Sequence, residues 1–240
     1  MSSAKKDNIT RFDLTQRIQH LLLIVSFTTL AITGLLQLLV RSSWAQQIMH
    51  ILGDIDGVRR IHHVAGVLLL FVLFYHVVSI VWDIVAGRSV RMLPRLQDVK
   101  DAIHSVNYLL GRRTESPKYD RFDFKQKMEY WALIWGTFLM VATGLILMFP
   151  QVITQFVPGV VVYAAKAAHG LEALLAIVSI ITWHMYSTHF AEGMWPLDPT
   201  IFSGKISRER MLKEHPLEYE RLIEAGTLAA DQPDEKLEGK

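Results

Sequence analysis

The sequence predicts an all-α fold, a transmembrane four-helix bundle, and three observations predict it. Long apolar runs recur four times, basic residues gather in alternate loops, and the first half of the chain recurs in the second. The runs cover about 18–40, 61–86, 129–149 and 160–190, within a chain of 240 residues that is 51% hydrophobic. The first, Ile18 to Val40, contains no charged residue. A helix crossing a hydrocarbon core of about 30 Å needs roughly 20 apolar residues. None of the runs carries the polar stripe of a helix lying on a soluble core. A 17-residue polar leader precedes the first run, and no small-x-small cleavage site follows it, so it reads as a span and not as a signal peptide.

Charge distribution gives the expected topology. Lys and Arg number four before the first span, ten between the second and third, and seven after the fourth. The other two loops hold Arg41, Arg59 and Arg60, and Lys166 alone. Basic residues collect on the cytoplasmic side, which places both termini and the middle loop inside. The expected organisation is a cytoplasmic segment over 1–17, a four-helix transmembrane domain over 18–190 and a cytoplasmic tail over 191–240. Topology accounts for the basic segments, so nucleic acid is not an expected partner and membrane lipid is. The chain has no cysteine. That excludes disulfides, an iron–sulfur cluster of its own and covalently attached haem.

A shift of 110 residues aligns Arg11-Phe12-Asp13-Leu14-Thr15-Gln16-Arg17 with Arg121-Phe122-Asp123-Phe124-Lys125-Gln126-Lys127. The same shift pairs Leu23-Ile24 with Leu133-Ile134 and Thr33-Gly34-Leu35 with Thr143-Gly144-Leu145. The bundle is therefore expected to be a parallel repeat of two helical hairpins, with the second and fourth spans in equivalent positions.

Those two spans carry the candidate ligands. His62 and His76 lie 14 residues apart, His169 and His184 15 apart. At 1.5 Å per residue the members of each pair stand about 21–22 Å apart, on roughly one helix face. The repeat sets His62 opposite His169 on the outer side and His76 opposite His184 on the inner side. Two facing imidazoles are what a six-coordinate haem iron requires, and glycines 34, 66, 136, 144 and 170 would admit a flat macrocycle. Zinc fits less well, because its ligands must converge on one point.

The inner side is open to several readings. His20 could replace His76 as partner of His184. His20 and His189 could hold a third haem, or either could hydrogen-bond a quinone. Glu172, inside the fourth span, and Asp83, at the inner interface, are the quinone or proton candidates, since a carboxylate within a span is costly. The bland reading of Glu172 is a salt bridge to Lys166 or a place beside a haem propionate. His63 is expected to pack or hydrogen-bond beside His62. His50, His104 and His215 are expected in solvent.

With these residues in place, the chain resembles the membrane cytochrome b subunits of respiratory formate dehydrogenases and nickel–iron hydrogenases. The resemblance spans roughly residues 10–222 and rests on several segments. They are Arg17-Ile18-Gln19-His20, Thr33-Gly34-Leu35, Arg59-Arg60-Ile61-His62, Gln126-Lys127-Met128-Glu129-Tyr130-Trp131 and His184-Met185-Tyr186. The tail adds Gly204-Lys205-Ile206-Ser207 and, most specifically, His215-Pro216-Leu217-Glu218-Tyr219. It implies two haems b, an outer one on residues matching His62 and His169 and an inner one on residues matching His20 and His184. It also implies a quinone site near the inner haem and a prokaryotic cytoplasmic-membrane location. His76 departs from that pattern, and a pair of ligands on both the second and fourth spans also resembles the cytochrome b of quinol–cytochrome c oxidoreductases.

The expected function is electron transfer between a quinone pool and a partner redox subunit through two or three haems b. A dehydrogenase, an iron–sulfur protein or a multihaem cytochrome would serve as partner, since the loops are too short to form a catalytic domain. A haem-free anchor for a redox complex and a histidine-relay transporter are the alternatives from other classes.

Overall fold

A computed structural model describes residues 8–88, 90–191 and 193–228. Among the described residues the chain divides into two compact units, one within residues 11–90 and 130–204, the other within residues 8–10, 91–129 and 205–228.

The first unit is built on four helices long and apolar enough to cross a membrane: α1 (Leu14–Leu38), α3 (Asp54–Val85), α5 (Phe124–Met148) and the continuous helix Val160–Phe190 that begins as α7 (Val160–Ser179). The fold is an all-α membrane bundle. Short helices α2 (Ser43–Ile51) and α6 (Pro150–Ile153) sit in the connections, and α8 (Thr200–Ser203) closes the unit. Leu36, Ala45, Met49 and Val58, with Ile55, pack α2 against the adjoining ends of α1 and α3.

The repeated Arg-Phe-Asp-x-x-Gln turns out to be a helix start used twice. Before α1, the Gln16 amide donates to Asp13 Oδ1 at 2.8 Å and the Asp13 amide to Gln16 Oε1 at 3.1 Å. Before α5, the Gln126 and Asp123 amides repeat the pattern at 2.8 and 3.2 Å. Each Asp–Gln box satisfies two of the amides a helix start leaves orphaned.

Span boundaries differ from the sequence expectation most at α3. It begins at Asp54, seven residues before the apolar run at Ile61. Gly53, at φ +86°, turns the chain in, and Asp54 and Asp56 favour the helix N-terminus electrostatically. Hydropathy marks where a helix becomes apolar, not where it starts. The fourth span departs from α-geometry at its far end, where Ile180–His184 and Tyr186–Phe190 form π-helical turns. These wider turns rotate the chain less per residue, so the 15-residue spacing from His169 to His184 does not carry His184 as far round as an α-helix would.

In the second unit, tail residues 205–224 are folded. Strands β1 (Asn8–Thr10) and β2 (Lys205–Ser207) pair antiparallel, with Ile9 opposite Ile206. Ile9, Ile206, Met211 and Tyr219 form a small core with Leu222, Ile223 and Leu228 against it. Helices α9 (Arg208–Glu214) and α10 (Pro216–Glu224) follow, and α4 (Leu96–Leu109) belongs to the same unit.

The His215–Tyr219 segment owes its distinct sequence to contacts with residues 119–121. The His215 Nδ1–H donates to the Asp120 carbonyl at 2.8 Å, and the Leu217 amide to the Tyr119 carbonyl at 3.2 Å. The Glu218 carboxylate is buried and accepts from Arg121 at 2.8 Å, with Arg221 3.8 Å away. Asp120 pairs with Arg221 and with Arg91. Burial pushes the Asp120 carboxyl up, but the Arg121 amide and the Arg221 and Arg91 guanidiniums outweigh it and hold the group below the ordinary carboxylate range. His215, expected in solvent, is 4% exposed, because its ring donates into this cluster.

Candidate functional site

Two pairs of histidine rings face each other inside the membrane unit. The ring centres of His62 on α3 and His169 on α7 are 6.3 Å apart, with the rings inclined by 68°. Those of His20 on α1 and His184 in the first π turn are 6.1 Å apart and inclined by 43°. Along α1, His20 lies 13 residues from Thr33, the residue that touches His62. That is about 20 Å of helix, so the two pairs form separate layers.

The His62–His169 layer is held the same way on both sides. His62 Nδ1 lies 2.8 Å from Thr33 Oγ1, and His169 Nδ1 lies 2.9 Å from Thr143 Oγ1. Each threonine hydroxyl has one proton, and each is committed. Thr33 donates to the Thr29 carbonyl and Thr143 to the Leu139 carbonyl, both at 2.6 Å. The hydroxyls must therefore accept from the imidazoles, which fixes the proton on Nδ1 and leaves the Nε2 lone pair for a metal.

The next residue on each helix is a glycine close to the ring, tightly so at Gly144. A Cβ at Gly34 would lie 3.5 Å from His62 Cε1, and one at Gly144 would lie 3.3 Å from His169 Cε1. Larger side chains there would push the rings out of position. Gly66 and Gly170, by contrast, would add a Cβ into open space.

His76 does not face His184. Its Nδ1 lies 2.9 Å from Gln19 Oε1 and its Nε2 lies 2.8 Å from the Tyr130 hydroxyl. An amide oxygen only accepts, so Nδ1 is the donor and Nε2 accepts the tyrosine proton. Gln19 in turn donates to Ser79 at 2.7 Å, and Ser79 to the Tyr75 carbonyl at 2.8 Å. Both ring nitrogens of His76 are engaged, in a chain that ties α1, α3 and α5 together. Tyr130 is the position that the 110-residue shift matches to His20.

His189 donates from Nδ1 to the Pro196 carbonyl at 2.9 Å and is not brought against His20. His63 and His50 are exposed, His50 beside Asp54 at 3.1 Å, and His104 donates to the Glu115 carbonyl at 3.0 Å. Asp83 pairs with Arg88 at 2.9 Å where α3 ends. Lys166 is exposed. Glu172 lies against Gly136 instead, with its Oε1 2.6 Å from where a Cβ would stand. Glu172 follows His169 by three residues and so belongs to the His62–His169 layer.

Among the described residues no cluster of three or more His, Cys, Asp or Glu is placed to hold a metal ion. Histidine pairs suffice only where another molecule supplies the remaining donors, as a porphyrin does. The fixed Nδ1 protons, the glycines behind the rings and the paired geometry all fit such a group.

A family model described as prokaryotic cytochrome b561 matches residues 11–197. The chain belongs to that family.

As a prokaryotic cytochrome b561 with four apolar helices, it is a multi-pass inner-membrane cytochrome b, a haem protein of electron transfer. Curated relatives are similar over nearly the whole chain. The cytochrome b556(Fdn) subunit of the nitrate-inducible formate dehydrogenase of Escherichia coli K12 is 23% identical over 222 residues, 92% of this chain and 95% of the relative. The cytochrome b556(fdo) subunit of formate dehydrogenase from the same strain is 24% identical over 222 residues, with 90% and 93% covered. The formate dehydrogenase cytochrome b556 subunit of Haemophilus influenzae is 24% identical over 211 residues, 88% of this chain and 82% of the relative.

The two Thr-Gly pairs were visible in the sequence as repeat matches, and their role was not. The missed signal is their spacing from the box that starts each helix. Thr33 follows Asp13, and Thr143 follows Asp123, by the same 20 residues.

Proposed function

We propose that this cytochrome b561 carries two bis-histidine haems b and passes electrons between a quinone pool and a partner redox subunit. His62 and His169 would hold the outer haem, and His20 and His184 the inner one. The observation that carries this is the pair of ring separations, 6.3 and 6.1 Å. Two imidazoles on opposite sides of one metal ion at about 2 Å each, with roughly 1 Å more to each ring centre, have centres about 6 Å apart.

Haem b supplies a one-electron carrier at each layer. The residues supply the rest. Thr33 and Thr143 hold the outer imidazoles in one tautomer, and the Gly34 and Gly144 backbones set their depth. Gln19 and Tyr130 keep His76 from competing with its neighbour on α1. With His20 committed to His184 and His189 to Pro196, a third haem has no ligand pair, which favours two over three.

The excess of basic residues in the loop between α3 and α5 and in the tail supports an inner location for the His20–His184 layer, with both termini cytoplasmic. The quinone site belongs beside that layer, where α3 ends at Asp83. Glu172, in the other layer, is then a neighbour of the outer haem and not a quinone ligand. The similar cytochrome subunits, named for formate dehydrogenases, support a partner that supplies or accepts the electrons. The matching Asp–Gln boxes and Thr–His bonds support descent of the bundle from a repeated hairpin.

Anaerobic addition of a short-chain quinol to the purified holoprotein tests the function. Both haems should reduce, and His20→Ala should abolish or greatly slow reduction of the remaining outer haem. Haems that stay oxidised with a low-potential quinol would reject the quinone assignment.

A further inference from the structure

Helix α4 is built inside out for a helix in water. The side turned into its own unit is polar or small: Asp98 pairs with Lys127 at 2.7 and 3.0 Å, and Ser105 is 8% exposed. Its outward side carries Leu96, Val99, Ile103, Val106 and Leu110, at spacings of three and four residues. These five are 55–84% exposed. Leu109, on the edge of the stripe, is 77% exposed. A helix normally turns its apolar stripe to the core and its charges to water, and a continuous exposed stripe marks a surface that another phase or molecule covers.

Two features indicate what covers it. Cations bracket the stripe: Arg95 precedes Leu96, Lys100 lies between Val99 and Ile103, and Arg112 and Arg113 follow Leu110. The chain is also tethered to the bilayer at both ends, because α4 is separated from the spans α3 and α5 only by residues 86–95 and 110–123. An apolar face flanked by Lys and Arg suits the interface of an anionic bilayer, where the apolar side chains enter the acyl boundary and the cations meet phosphates.

We propose that the Leu96–Leu110 stripe lies in the headgroup region of the protein's own membrane and that the flanking cations engage anionic phospholipid. The polar side of the helix, held through Asp98 and Ser105, then carries its unit on the membrane surface.

The absence of cysteine makes a direct test available, since one introduced thiol is the only one in the chain. Val99→Cys, Ile103→Cys and, as the exposed position off the stripe, Gln97→Cys are labelled with a nitroxide. The holoproteins are reconstituted in vesicles of phosphatidylethanolamine and phosphatidylglycerol. An unchanged haem spectrum checks that each variant is folded. Labels at 99 and 103 should collide mainly with oxygen and lose most of their collisions with a water-soluble nickel chelate, while the label at 97 shows the reverse. In phosphatidylcholine alone the oxygen preference at 99 and 103 should fall. A nickel preference at 99 and 103 overturns the proposal. So do labels that neither reagent reaches, which would mean that a partner protein or a second copy covers the stripe. An oxygen preference that is the same in both lipids overturns the role of the cations.

Discussion

Replacing His62 or His169 by alanine should halve the haem content and leave the inner haem's spectrum in place. The loss should be this large because each iron has only two protein ligands in this arrangement. Removing one leaves a single bond and an uncompensated site in a bundle that otherwise packs around the macrocycle. The threonines should give a graded version of the same result. Thr33→Val and Thr143→Val keep the side-chain shape and remove the acceptor for Nδ1–H, a change of the kind that costs about 10–100-fold in metal affinity. Pyridine haemochrome assay of the purified variants, scaled to protein, reads both effects. Full haem content in His62→Ala and His169→Ala would remove these residues as ligands.

The second large effect separates two histidines that stand at similar depth. His20→Ala should lose the inner haem, whereas His76→Ala should retain both. His76→Ala should instead destabilise the bundle, since it leaves the Gln19 oxygen and the Tyr130 hydroxyl without their partner. Each buried group so orphaned costs roughly 1–3 kcal/mol. Loss of thermal stability with both haem bands intact is therefore the expected signature of His76→Ala. An inner haem that survives His20→Ala and disappears in His76→Ala would reverse the assignment.

The contrast between His20 and His76 also shows how far the sequence could be read. The four spans were legible because apolar runs of membrane length leave few alternatives, and the facing of His62 and His169 was legible because both stand near the start of the second and fourth runs. The inner side was not. Depth and azimuth place His20 and His76 alike near His184, and what distinguishes them is the Tyr130 hydroxyl that occupies His76 Nε2. That contact joins α3 to α5 across 54 residues of sequence, and no spacing on a single helix encodes it. The folded tail was hidden for a related reason: Glu218 and His215 read as ordinary polar residues until Arg121 and the Asp120 carbonyl are brought beside them. The α4 stripe could have been found, since Leu96, Val99, Ile103, Val106 and Leu110 follow helical spacing. It is too short to cross a bilayer, so hydropathy over a span's length does not mark it.

The proposed function stands on paired histidines holding two low-spin haems in this one chain. Pyridine haemochrome quantification together with low-temperature electron paramagnetic resonance of the oxidised, purified wild-type protein tests it most directly. Two haems b per chain are expected, both giving low-spin signals of bis-imidazole iron. One haem, three haems, or a high-spin signal from a five-coordinate iron would contradict it.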